Sequence, residues 1–122
     1  MKLHASGPSP YNTVTGYGEG YVLVNGQRHE SSVIVLPERV VVWSAANFQS
    51  LSAEDFEPLA SLGAEIVLLG TGARQRFPHP RLTQALSGAR IGLEVMDLKA
   101  ACRTYNILVA EERKVAAALL FA

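Results

Sequence analysis

Apolar residues in this chain gather into short runs, each cut by glycine, proline or a polar pair, and that spacing predicts strands. Tyr21-Val22-Leu23-Val24 is followed by Asn25-Gly26 and then by Ser32-Val33-Ile34-Val35-Leu36, which reads as a β-hairpin. Asn-Gly is the strongest short hairpin signal, because both residues tolerate the positive φ of a type I′ turn. Pro37 ends the second strand, and Val40-Val41-Val42-Trp43 is a third β-branched run.

Beyond residue 50 the pattern alternates between periods. Ser52 is placed to cap a helix whose first turn holds Glu54 and Asp55, with Phe56, Leu59, Ala60 and Leu62 at helical spacing and Gly63 as the stop. Strand 65–69 follows, then a helix over 80–87 with Pro80 at its start and Gly88 beyond its end. Strand 91–96 leads to Asp97, an N-cap for a helix to about Leu108, with Ala101, Tyr105, Leu108 and Val109 on one apolar stripe. Val115 to Phe121 closes the pattern as a buried strand.

Helices that alternate with strands predict right-handed crossovers and a parallel sheet. The expected fold is α/β, with three layers: a mixed, mostly parallel sheet flanked by helices, and an N-terminal β-hairpin extending or covering one side. Residues 1–122 are expected to form one domain, with 1–12 a loose lead-in. The central expectation is that strands 65–69 and 91–96 lie side by side and bring residues 70–72 to the start of the helix at Asp97.

The run Ala64-Glu-Ile-Val-Leu-Leu-Gly-Thr-Gly72 stops at two glycines bracketing a threonine. A turn at the carboxyl end of a buried strand is where open α/β sheets usually bind ligands. Gly70, Thr71 and Gly72 are therefore candidate ligand-binding residues, as amides that could cradle an anion. The turn lacks the third glycine of a dinucleotide fingerprint and the Lys-Ser/Thr of a P-loop, so a tight turn is the rival reading. On the helix after Asp97, Arg103 and Asn106 stand three apart and can share a face toward that turn. They complete the candidate ligand set.

Composition narrows the chemistry. Eleven basic residues balance eleven acidic ones, so net charge lends no attraction to nucleic acid or to an anionic membrane. The one basic cluster is Arg74-Gln-Arg-Phe-Pro-His-Pro-Arg81. Neutrality also does little to oppose self-association, which leaves a homo-oligomer open. Cys102 is the only cysteine, so no internal disulfide forms, and its mid-helix position predicts a packing residue rather than a nucleophile. His4, His29 and His79 have no metal-ligand spacing, and no metal, cofactor or catalytic residue is expected. Lacking an apolar leader or a run long enough to span a bilayer, the chain is expected to be cytoplasmic, with no direct membrane insertion.

Several stretches together carry a family resemblance. They are Val35-Leu36-Pro37, Trp43, Gly70-Thr71-Gly72, Glu94-Val95-Met96-Asp97, Ala100-Ala-Cys-Arg-Thr-Tyr-Asn-Ile-Leu108, Glu111, Arg113 and Val115-Ala-Ala-Ala-Leu-Leu120. The chain resembles a domain-of-unknown-function family (Mth-type domain proteins) that includes the mitochondrial assembly factor 3 of respiratory complex I. The resemblance implies a three-layer α/β domain that is not an enzyme and that meets protein partners of a membrane or respiratory complex. The alternative is a small-molecule or anion-binding protein using residues 70–72 and the helix 97–108. Two positions depart from the family pattern: Leu98 replaces a frequent threonine, and Glu112 replaces a glycine, which argues against a left-handed cap there.

Overall fold

In the central strands, apolar residues run without interruption because both faces are covered. The computed structural model describes residues 10–121, and its secondary structure runs in the following order. The strands are β1 (Val14–Gly18), β2 (Tyr21–Val24), β3 (Gln27–His29), β4 (Val33–Val35), β5 (Val40–Val42), β6 (Ile66–Thr71), β7 (Gly92–Met96) and β8 (Val115–Leu120). The helices are α1 (Ala53–Phe56), α2 (Gln84–Gly88) and α3 (Leu98–Ala110). A 3-10 turn over Glu57–Ser61 prolongs α1, and another over Pro80–Thr83 leads into α2.

The main sheet has the order β5-β4-β8-β6-β7. β6 runs parallel to both β7 and β8, while β4 is antiparallel to β8 and β5. The expected neighbours are thus neighbours: Ile66 pairs with Gly92 and Gly70 with Met96. Side chains alternate strictly along these strands. Leu68, Val115, Ala117 and Leu119 face α3 with Ala101, Cys102, Tyr105 and Val109. Val67, Leu69, Ala116, Ala118 and Leu120 face the other way, onto Phe56, Leu59 and Leu86. Helices therefore cover both faces of a mixed sheet, the three-layer α/β arrangement.

Alanines make the centre of β8 thin, and no larger side chain holds the helices off. Trp43 lies in the same second core, its indole edge-on to Phe56 and its Nε1 donating to the carbonyl of Asp55 at 2.8 Å. It is a core residue rather than an exposed anchor.

The hairpin needs correction. β2 turns at Asn25 and Gly26, with φ of 50° and 81°, as the Asn-Gly signal requires. Its partner is β3 over Gln27–His29, however, and not the run 32–36. A two-residue turn sets Gln27 directly opposite Val24, so pairing begins at once. β4, buried at all three residues, is instead taken into the main sheet where both faces are covered. β1, unmarked by any apolar run, joins β2 to complete a separate three-stranded sheet that packs on α3.

Helices α2 and α3 both end in a left-handed residue that is not glycine. After α2, Arg90 has φ 60°, its amide donates to Ser87, and the amide of Ile91 donates to Leu86. After α3, Glu112 has φ 61°, its amide donates to Val109, and that of Arg113 donates to Leu108. Both are Schellman closures. The left-handed cap at 112 is thus present despite the glutamate, because the two closing hydrogen bonds impose it.

Residues 1–9 lie outside the described residues, and His4 and most of the expected lead-in lie among them. Asn12 is tied down: its amide donates to Pro37 and its side chain to the carbonyl of Leu36, while its carbonyl accepts from Tyr105.

Candidate functional site

At the carboxyl end of β6, Gly70 and Gly72 serve different purposes. A Cβ at Gly70 would stand 3.0 Å from a Leu119 methyl, 3.1 Å from the Ala101 Cβ and 3.5 Å from the Leu98 Cα. Gly70 therefore lets α3 lie directly against the sheet. Gly72 takes φ 84°, and its carbonyl accepts from the amide of Leu98 at 2.8 Å. The glycine bend thus touches the first turn of α3, where Asp97 caps by accepting from the amide of Ala100 at 2.8 Å.

Thr71, fully buried, organises the loop that follows. Its hydroxyl donates to the carbonyl of Arg74 at 2.7 Å, with the Met96 carbonyl at 3.2 Å, and accepts from the amide of Arg76 at 3.1 Å. The Arg76 guanidinium returns to the Thr71 carbonyl at 3.0 Å and lies 4.7 Å from the centre of the Phe48 ring. Gln75 donates to the carbonyl of Val95 at 2.8 Å. Loop 73–79 is therefore held at both its start and its middle.

Arg103 and Asn106 part company on α3. Arg103 is exposed. Asn106 turns to the small sheet: its Oδ1 accepts from the Val14 amide and its Nδ2 donates to the Val14 carbonyl, both at 2.8 Å. One carboxamide thereby substitutes for a neighbouring strand along the free edge of β1. Thr71 and Asn106 are each engaged by other parts of the protein, and they share no hydrogen-bond partner.

A cleft of about 410 Å³ opens at the opposite end of the sheet. Tyr11, Pro37, Glu38, Leu62, Arg113 and Lys114 line it, drawn from the exit of β4, the approach to β6 and the turn after α3. It sits at the amino end of β6, roughly 20 Å from the glycine bend at ~3.3 Å per residue. No sequence motif marks it, because its walls come from separate segments.

The nucleophilic groups under α3 are muted. Burial pushes the Cys102 thiol up to about 12, so the thiolate is scarce at neutral pH. Burial, with the negative charge of Glu38 adding to it, likewise holds the Tyr105 phenol above its ordinary range. Among the described residues there is no cluster of three His, Cys, Asp or Glu able to hold a metal ion. Nor is any helix among them long and apolar enough to cross a membrane.

Comparison with known proteins places the whole arrangement. A bovine (Bos taurus) protein named NADH dehydrogenase (ubiquinone) 1 alpha subcomplex assembly factor 3 is 34% identical over 109 residues, covering 88% of this chain and 59% of its own length. The chain thus spans about 59% of that relative. A crystal structure of a Bordetella parapertussis protein matches with TM-score 0.85 at 40% identity, over 92% of this chain and 97% of that one. A Bordetella pertussis protein described as a Mth938-like domain matches with TM-score 0.80 at 35% identity, over 98% of this chain and 92% of that one. The family model described as "Protein of unknown function (DUF498/DUF598)" matches residues 14–120, from the first residue of β1 to the last of β8. Since that span takes in both sheets, α3 and the glycine bend, the chain belongs to the DUF498/DUF598 family.

Proposed function

We propose that this chain is a non-enzymatic protein-interaction domain that assists the assembly of a membrane or respiratory complex. The observation that carries the reading is the match of 88% of the chain to a relative named as an assembly factor of a respiratory dehydrogenase. The muted thiol of Cys102 and the engagement of the Thr71 hydroxyl by its own loop fit a domain that works by its surface. A cytoplasmic location belongs to the same proposal, and cell fractionation checks it. Crosslinking in native cells followed by capture of the tagged chain tests the function. Subunits or co-factors of one multi-subunit complex should be enriched reproducibly, and recovery of no consistent protein partner overturns the reading.

A ligand-binding role for Gly70, Thr71, Gly72, Arg103 and Asn106 asks Thr71 and Asn106 to give up hydrogen bonds that hold the fold. A thermal-shift screen against metabolites is its check, since a ligand that binds the native state raises the melting temperature.

A further inference from the structure

The chain is neutral overall, yet its charge is not evenly spread. Residues 73–81 hold Arg74, Arg76 and Arg81 and no carboxylate. Segment 44–51, which brings Phe48 under Arg76, is uncharged throughout. Glu54 and Glu57, on α1 and its extension, mark where the positive stretch ends, since α1 packs on the turn that contains Arg81.

Phe77 sits within this stretch and is 69% exposed. Its exposure does not come from a slack loop. Thr71 and Gln75 fix the backbone before it, Arg76 is clamped to the Thr71 carbonyl and the Phe48 ring, and Pro78 and Pro80 stiffen the chain after it. The His79 Nδ1 accepts from the Arg81 amide at 3.0 Å and closes the far end. A large aromatic is thus displayed on a rigid, cationic support, with the ordering entropy already spent in the free protein. Aromatic side chains, Phe among them, and Arg are enriched at the core of protein–protein interfaces.

We propose that loop 73–79, with Arg81 beside it, is the docking surface for a partner protein that receives Phe77 in an apolar recess rimmed by Asp and Glu. This rests on the protein-interaction reading above and names the surface and the chemistry of its partner. Charge complementarity selects the acidic rim: Arg74, Arg76 and Arg81 stand on a stretch that holds no carboxylate of its own, with the acidic α1 bordering it at the Arg81 end, and such a stretch favours an oppositely charged partner. Anionic bilayers are usually met by clusters of about four to eight basic residues, more than this loop offers. Tight nucleic-acid binding likewise draws on many phosphate contacts, for which a neutral chain has few cations to spare.

The test is site-specific photocrosslinking in living cells that express the full chain. Phe77→p-benzoylphenylalanine is compared with the same replacement at two other exposed apolar positions, Val42 and Ile107. All three variants are first checked for native circular dichroism. The expected result is a protein adduct from position 77 whose crosslinked peptide is rich in Asp and Glu. The double variant Arg74→Glu/Arg81→Glu should cut its yield by about tenfold or more. An adduct with lipid or nucleic acid, a peptide without acidic residues, or a yield indifferent to charge reversal overturns the proposal. Protein adducts from 42 or 107 with none from 77 remove this surface but leave the assembly reading standing. No protein adduct from any of the three removes both.

Discussion

The side-chain amide of Asn106 grips the backbone of Val14 by its N–H and its C=O together, each at 2.8 Å. This is the polar clasp between α3 and the small N-terminal sheet. Asn106→Ala removes both bonds and leaves two backbone groups of a nearly buried residue without their partner. Stability should fall by about 2 kcal/mol in urea unfolding. Amide exchange at Val14 should accelerate more than exchange in β6 or β8.

Gly70 and Gly88 should respond to substitution with opposite signs. Gly70→Val pushes branched carbon into Leu119, Ala101 and the backbone of Leu98, and overpacking of this kind costs roughly 1–3 kcal/mol. At Gly88 nothing lies within 4 Å of a new Cβ, and the residue is helical. Gly88→Ala should stabilise by about 0.5 kcal/mol, and chemical denaturation of the two variants side by side checks both.

The two left-handed helix closures are sites for gain. Arg90→Gly and Glu112→Gly keep the hydrogen bonds of the Schellman turn and relieve a side chain of a strained φ. Arg90→Gly should raise stability by about 0.5–1 kcal/mol, and Glu112→Gly by less, because Glu112 makes a further interaction of its own. Calorimetric melting of the single and double variants measures it.

Alkaline pH should weaken the fold in part through Cys102. The thiol ionises near 9 when the chain is unfolded, but near 12 when it is folded. Between those values the folded state holds the proton and the unfolded state releases it, so stability is intact below about pH 9 and declines above it. Tyr105 adds to the same alkaline decline, its phenol also being raised. Melting temperatures at pH 8 and pH 10.5 should differ less in Cys102→Ala than in the parent chain. A maleimide should label the thiol slowly at neutral pH until the protein is unfolded.

What the sequence disclosed was what local pattern encodes. Run 66–69 is apolar on both faces and took an interior place as β6, while 91–96, broken by Gly92 and Glu94, pairs beside it as the edge strand β7. Asn25-Gly26 fixed its turn because few other pairs accept two positive φ angles in succession. The destination of 33–35 was not legible, since a buried strand carries no mark of which sheet will bury it. That Asn106 reaches the backbone of Val14 is not legible either, since the two lie 92 positions apart, beyond any periodicity. The left-handed cap at Glu112 is hidden for a related reason: residue identity carries no trace of the two closing bonds that fix its conformation.

The place of β8 between β4 and β6 has a consequence for how the molecule comes into being. A ribosome delivers the other seven strands first, yet the antiparallel half of the main sheet and the parallel half share no seam until Val115–Leu120 arrive. Without that strand β4 and β6 each have an edge with no strand beside it, and Val115–Leu120 pair with both. The final insertion of one slender, alanine-rich strand joins the halves into a single folded body.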